Sequence, residues 1–107
     1  MWGRGMAFPE RIDICGYPYR IELTETASFH NGKFIDGAIA YHDLTIEIAA
    51  KQQPAFERAT VMHEVLHGIA KHTGTKLTEY QIEALSYSLV RLLRDNPDLV
   101  TYLTEDI

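Results

Sequence analysis

His63-Glu64-Val65-Leu66-His67 sets two imidazoles four residues apart with a carboxylate directly after the first. On an α-helix a four-residue step puts both imidazoles on one face, one turn apart. Two nitrogens placed that way can take two corners of a zinc tetrahedron. Glu64 lies about 100° round the helix from His63, so it can lean toward a metal-bound water without being a ligand. The chemistry expected of this pentad is metal-assisted hydrolysis. The metal acidifies water toward a pKa of ~7 and polarises a carbonyl. Glu64 accepts the proton and later passes it to the leaving amine.

Two histidines do not hold a catalytic zinc firmly, so a third protein ligand is expected, with the fourth position left for water. Downstream, His72, Glu79 and Glu83 compete for that place. Helix ends near Thr73 and Thr78 would make the flanking helices an antiparallel pair. At about 1.5 Å per residue, His67 then sits roughly 9 Å below the connection and Glu83 roughly 7 Å below it on the partner helix. Glu79 falls a turn too high, and His72 points some 140° away from His67. The expected ligands are therefore His63, His67 and Glu83, holding one Zn2+ per chain. Glu83 also sits among Ile82, Leu85 and Leu89, and a buried carboxylate needs a partner. Tyr87, four residues after Glu83 on the same face, is the first candidate for a donor to the oxyanion. Tyr80, His42 and His72 rank below it.

These residues need helices to hold them, and the second half of the chain has the pattern. Pro54 suits a first helical position. Val61, Met62, Val65, Leu66, Ile69 and Ala70 have helical spacing, and Gly74 is a stop. Thr78 and Gln81 fit a capping box, opening a helix with Ile82, Leu85, Leu89, Leu92 and Leu93 inward. Asn96-Pro97 starts a short third helix through about Leu103. The first half reads as strands. Arg11 to Cys15 and Tyr19 to Glu25 alternate about a turn at Gly16-Tyr17-Pro18, with Cys15 as a small buried residue. Thr26 to Lys33 reads as a loop. Gly37 to Tyr41 and Leu44 to Ala49 form a second pair about His42-Asp43, and Gly37 to Tyr41 is a candidate sheet edge above the metal. An edge can take an extended peptide as an added strand. Strands first and helices after predict an α+β fold: a small twisted sheet of two hairpins, an active-site helix, an antiparallel glutamate helix and a short C-terminal helix.

At 107 residues the chain is expected to form a single domain over 1–107. A hydrophobic fraction of 46% and a charged fraction of 23% are ordinary for a soluble globular protein. A net charge of -5 argues against nucleic acid as a partner. No apolar run approaches the ~18 residues of a membrane span, and the first residues lack the apolar core of a secretion signal. Cys15 is the only cysteine, so an internal disulfide is impossible and a reducing compartment is natural. The expectation is a cytoplasmic protein whose partner is a protein or peptide substrate.

The pentad followed by Glu83 resembles the gluzincins, the thermolysin-like zinc peptidases. The chain is most similar to small ImmA/IrrE-type zincins, especially short metallopeptidase-like proteins of phages and prophages. The resemblance runs from Pro9, Ile12, Ile14, Gly16, Tyr19 and Ile21, through Gly37, Ile39, Tyr41, Ile46 and Ile48, to Thr60 through Gly68, Ile82-Glu83-Ala84-Leu85 and Asp95-Asn96-Pro97. It implies a zincin-like fold, His63, His67 and Glu83 as ligands, and Glu64 as general base. Thermolysin-like enzymes often carry an Asp four residues after the ligand Glu, where it orients the first His; Tyr87 stands there. Metzincins need Gly and His where this chain has Ala70 and Thr73, which excludes that branch. The function expected is zinc-dependent hydrolysis of peptide bonds in a specific protein. The alternative is a non-catalytic, zinc-stabilised protein-binding module with a phage regulatory or assembly role.

Overall fold

Alternation near the start of the chain does close into a hairpin, but its turn falls one step earlier than the sequence suggests. A computed structural model describes residues 8–25, 28–30, 33–50 and 52–106, and of 28–30 and 33–35 the backbone only. β1 (Arg11–Ile14) pairs antiparallel with β2 (Tyr17–Thr24). The two residues between them, Cys15 and Gly16, both have positive φ, 53° and 86°. Two-residue hairpin loops favour such turns because their twist matches that of the strands. Cys15 is therefore an exposed turn residue, not the buried strand residue expected of it. Pro18 lies within β2, opposite Asp13.

The expected loop from Thr26 to Lys33 contains strand instead. β3 (Ser28–His30) and β4 (Lys33–Ile35) pair antiparallel as a separate two-stranded ribbon. Residues 26, 27, 31 and 32 lie outside the described residues. β5 (Gly37–Ala40) and β6 (Thr45–Ala49) form the second expected pair, antiparallel, about a turn at residues 41–44. The two pairs join into one sheet of order β1-β2-β6-β5, because β6 lies parallel to β2. β5 is thus an edge strand.

One sheet face carries Ile14, Tyr19, Ile21, Ile46 and Ile48, all buried, and α1 (Pro54–Thr73) packs against it. Each fully buried Ile or Tyr of this kind contributes about 1.5–3 kcal/mol. The close approach of α1 is made possible by Gly68, where a Cβ would stand 3.0 Å from Ile14 Cδ1. Pro54 opens α1 and Gly74 closes it in the left-handed conformation, its N–H donating to the Ala70 carbonyl.

α2 (Glu79–Asp95) begins at the expected capping box: Gln81 N–H donates to Thr78 Oγ1 at 3.0 Å, and Thr78 N–H to Gln81 Oε1 at 2.8 Å. α3 (Pro97–Thr104) follows after Asn96. The fold is α+β, a four-stranded sheet followed by three helices. No helix among the described residues is long and apolar enough to cross a membrane.

The expected inward face of α2 is only partly inward. Ile82 and Ser86 are buried, but Leu85, Leu92 and Leu93 are exposed. The register with α1 explains the exposure of Leu92 and Leu93. Glu79 meets His63 and His67, Glu83 meets His63, and the Tyr87 ring sits edge-on to Phe56. Residue 87 is already beside the first turn of α1, so the last turns of α2 run past Pro54 and have no helix to cover them.

Candidate metal centre

His63 and His67 stand on one face of α1, as their spacing requires, with ring centroids 4.9 Å apart. α2 brings two carboxylates to them. Glu79 Oε1 lies 2.6 Å from His63 Nε2 and 3.3 Å from His67 Nε2. Glu83 Oε1 lies 3.0 Å from the other nitrogen of His63, Nδ1. Donor atoms from His63, His67 and Glu79 fall within 4.8 Å of one another. Ligands about 2.0–2.1 Å from a tetrahedral zinc stand roughly 3.3 Å apart, so the three donors fit a metal ion with little movement.

Glu79 was expected a turn too high, and here the structure corrects the level estimate. The helix ends fall where they are expected, so the difference lies in the path of the five residues between them: after Gly74, Thr75 N–H still bonds back to the Ala70 carbonyl, and α2 starts at Glu79. The intervening residues run back alongside the last turn of α1. The first turn of α2 therefore lies beside His63 and His67, one turn lower than the level estimate places it. Glu83 moves down with it, onto the far nitrogen of His63. In metal sites the second imidazole nitrogen commonly donates to a carboxylate that fixes ring orientation. Glu83 stands where such a partner would, and it supplies the contact that an Asp at position 87 would otherwise be sought for.

Glu64 projects to the sheet side of the same site. It is 6% exposed, and its carboxylate has no hydrogen-bond partner among the described residues. It reaches the edge strand at Gly37, where a Cβ would stand 3.3 Å from Glu64 Oε2 and 2.7 Å from Thr60 Cγ2. Only glycine lets the helix and its carboxylate come this close. Burial pushes the Glu64 carboxyl up to about 7, with His63 pulling it back and Glu79 adding to the rise. A general base works best with a pKa near the operating pH.

A cavity of about 770 Å³ opens over these groups. Its walls are β5 on one side and the first turns of α1 and α2 on the other. Tyr87 lines it, as expected, with its ring against Phe56. Tyr41, absent from the expected donors, also lines it from the end of β5. Burial raises the Tyr41 phenol above its usual value, and the carboxylates of Glu64 and Glu79 raise it further. The sequence signal for Tyr41 was its place at the end of a candidate edge strand, but a strand end alone does not say which helix it faces.

Three other candidates lie elsewhere. His72 points away from the cluster, as its helical angle requires. Its Nε2 is 2.6 Å from the Tyr19 hydroxyl, and its ring stacks on Tyr17. Tyr80 projects into solvent. His42 is exposed in the turn after β5.

No family profile, curated protein or solved structure matches this chain.

Proposed function

We propose that this chain is a zinc-dependent metallopeptidase of the small gluzincin, ImmA/IrrE-like kind, hydrolysing peptide bonds in a specific protein. The observation that carries the reading is Glu64: a buried carboxylate with no hydrogen-bond partner among the described residues, lining the cavity that His63, His67 and Glu79 share. A site that holds metal only for stability needs no such group. His63 and His67 would hold the ion, with Glu79 and Glu83 as the two carboxylates within reach. Bound there, zinc would supply a Lewis acid that polarises a carbonyl and acidifies water.

The chain's own residues account for the rest of the chemistry. Glu64 takes a proton from the attacking water at its carboxylate and returns it to the departing amine nitrogen. Glu83 keeps the His63 ring turned so that Nε2 faces the cavity. β5, with one side unpaired, offers backbone groups to an extended substrate.

The test pairs metal content with cleavage. Purified protein is expected to carry about one zinc per chain and to cleave target peptides in a proteome-derived library. Glu64→Gln is expected to keep the zinc and lose the cleavage. Protein that binds no zinc, or a Glu64→Gln variant as active as wild type, would overturn the reading. The uncovered apolar residues of α2 and α3, among them Leu92, Tyr102 and Leu103, favour the second reading of a zinc-stabilised binding module. That reading expects zinc without Glu64-dependent cleavage.

A further inference from the structure

We infer that Tyr41, rather than Tyr87, donates the hydrogen bond that stabilises the oxygen of the scissile carbonyl as it becomes negatively charged. The inference rests on the peptidase reading and adds a catalytic residue to it.

Four observations converge on Tyr41. It is the first residue after β5, at the end of the strand whose free edge borders the cavity. It lines the cavity that holds His63, His67 and Glu64. Its hydroxyl has no hydrogen-bond partner among the described residues, so it is free to donate to a bound molecule. Its ring is half-buried, with Lys71 Nζ 5.4 Å from the ring centroid. A half-buried ring carrying a donor suits a site that stabilises developing charge, because less reorganisation is needed than for a donor in solvent.

Tyr87 compares poorly. It is 45% exposed, and its ring is engaged edge-on with Phe56 at the start of α1, about two turns from His63. Tyr41 lines the cavity with Glu64 and Glu79, and the carboxylates of both add to the rise of its phenol above the usual value. Phe56 and Tyr87 form an apolar wall further along.

The step balances without consuming Tyr41. The water oxygen bonds to the carbonyl carbon, its proton goes to Glu64, and the carbon–oxygen π pair moves onto the carbonyl oxygen. Tyr41 O–H donates to that oxygen and keeps its proton. The pair returns as the carbon–nitrogen bond breaks, and the amine leaves with the proton from Glu64.

The experiment compares wild type, Tyr41→Phe and Tyr87→Phe, each loaded with zinc, on the best-cleaved peptide. Tyr41→Phe keeps the ring and its contact with Lys71. It is expected to lower kcat by about 10²-fold or more, with KM within about twofold and with zinc content and Tm unchanged. A phosphinic analogue of the same peptide, which mimics the tetrahedral species, should lose affinity for Tyr41→Phe by a similar factor. Wild-type kcat in Tyr41→Phe, or a change confined to KM, would overturn the assignment while leaving the peptidase reading intact. So would a loss of kcat in Tyr87→Phe alone. Absence of Glu64-dependent cleavage by wild type would overturn both.

Discussion

Glu64 Oε2 lies 3.3 Å from the point where a Cβ on Gly37 would stand. The general-base candidate on α1 is thus positioned by the absence of a side chain on β5. Gly37→Ala would also put a methyl 2.7 Å from Thr60 Cγ2, a distance that forces something to move. We expect Gly37→Ala to cost about 1–3 kcal/mol of stability, the usual scale for overpacking, and to reduce cleavage by displacing Glu64. Denaturant unfolding and peptide turnover check it; wild-type values for both would show that the helix and strand separate freely here.

Glu64 also makes a prediction about stability against pH in the metal-free protein. Its folded pKa of about 7 is above the ordinary carboxyl value of 4.5. Between those values the folded state binds more protons than the unfolded state, so stability falls as pH rises. The contribution is present in full below the lower value and is lost by the time pH passes the upper one. Its size is on the order of 3 kcal/mol, from about 1.4 kcal/mol per pK unit. Glu64→Gln should remove most of this slope and leave the metal-free variant more stable than wild type at pH 8. Equal slopes in the two proteins would show that Glu64 titrates normally.

The two carboxylates on α2 are separable by metal affinity. Removing a carboxylate that only orients a ligand histidine typically costs 10–100-fold. Both Glu79→Ala and Glu83→Ala are therefore expected to weaken zinc binding by at least about tenfold, and the larger loss identifies the direct ligand. Competition titration against a chromophoric chelator reads both. Unchanged affinity in either variant would remove that residue from the centre.

Zinc should leave as pH falls, because the imidazoles and the carboxylates must be deprotonated to bind it. Chelation at neutral pH should remove it too, abolishing cleavage and lowering Tm, and added zinc should restore both. A Tm indifferent to chelator would mean that the ion adds nothing to the folded state.

The Tyr19–His72 contact, at 2.6 Å, joins the buried sheet face to the last turn of α1. Tyr19→Phe deletes one hydrogen bond and leaves the ring, so a loss of about 1 kcal/mol is expected. Zinc affinity should not change, since His72 faces away from the cluster. A loss of zinc binding would mean that the end of α1 is coupled to the site.

Much of this protein was legible along the chain because its signals are local. The one-turn stacking of His63 and His67 follows from helix geometry. So do the direction of His72, the boundaries at Pro54, Gly74, Thr78 and Pro97, and the pairing about residues 41–44. Each depends on neighbours a few residues away. The hairpin itself was also legible, but its register was not: the turn falls at Cys15-Gly16 and sets Ile14 opposite Tyr17, where the expected turn at Gly16-Tyr17-Pro18 would set Cys15 opposite Tyr19.

What tertiary structure alone decided is the set of groups that meet across elements. The position of Glu79 depends on how a five-residue connection runs, and its path brings Glu79 to His63 and His67 and sets Glu83 against the far nitrogen of His63. The parallel union of β2 with β6 rests on backbone pairing between distant segments, which alternation does not encode; the β3–β4 ribbon is local, and its signal in the sequence was Asn31-Gly32 between two short runs. Leu92 and Leu93 have the spacing of a buried stripe but lie past the end of α1, so no partner covers them. Tyr41 enters the site because β5 is the edge nearest Glu64. Periodicity tells a side chain which face to take; only packing supplies the neighbour that face meets.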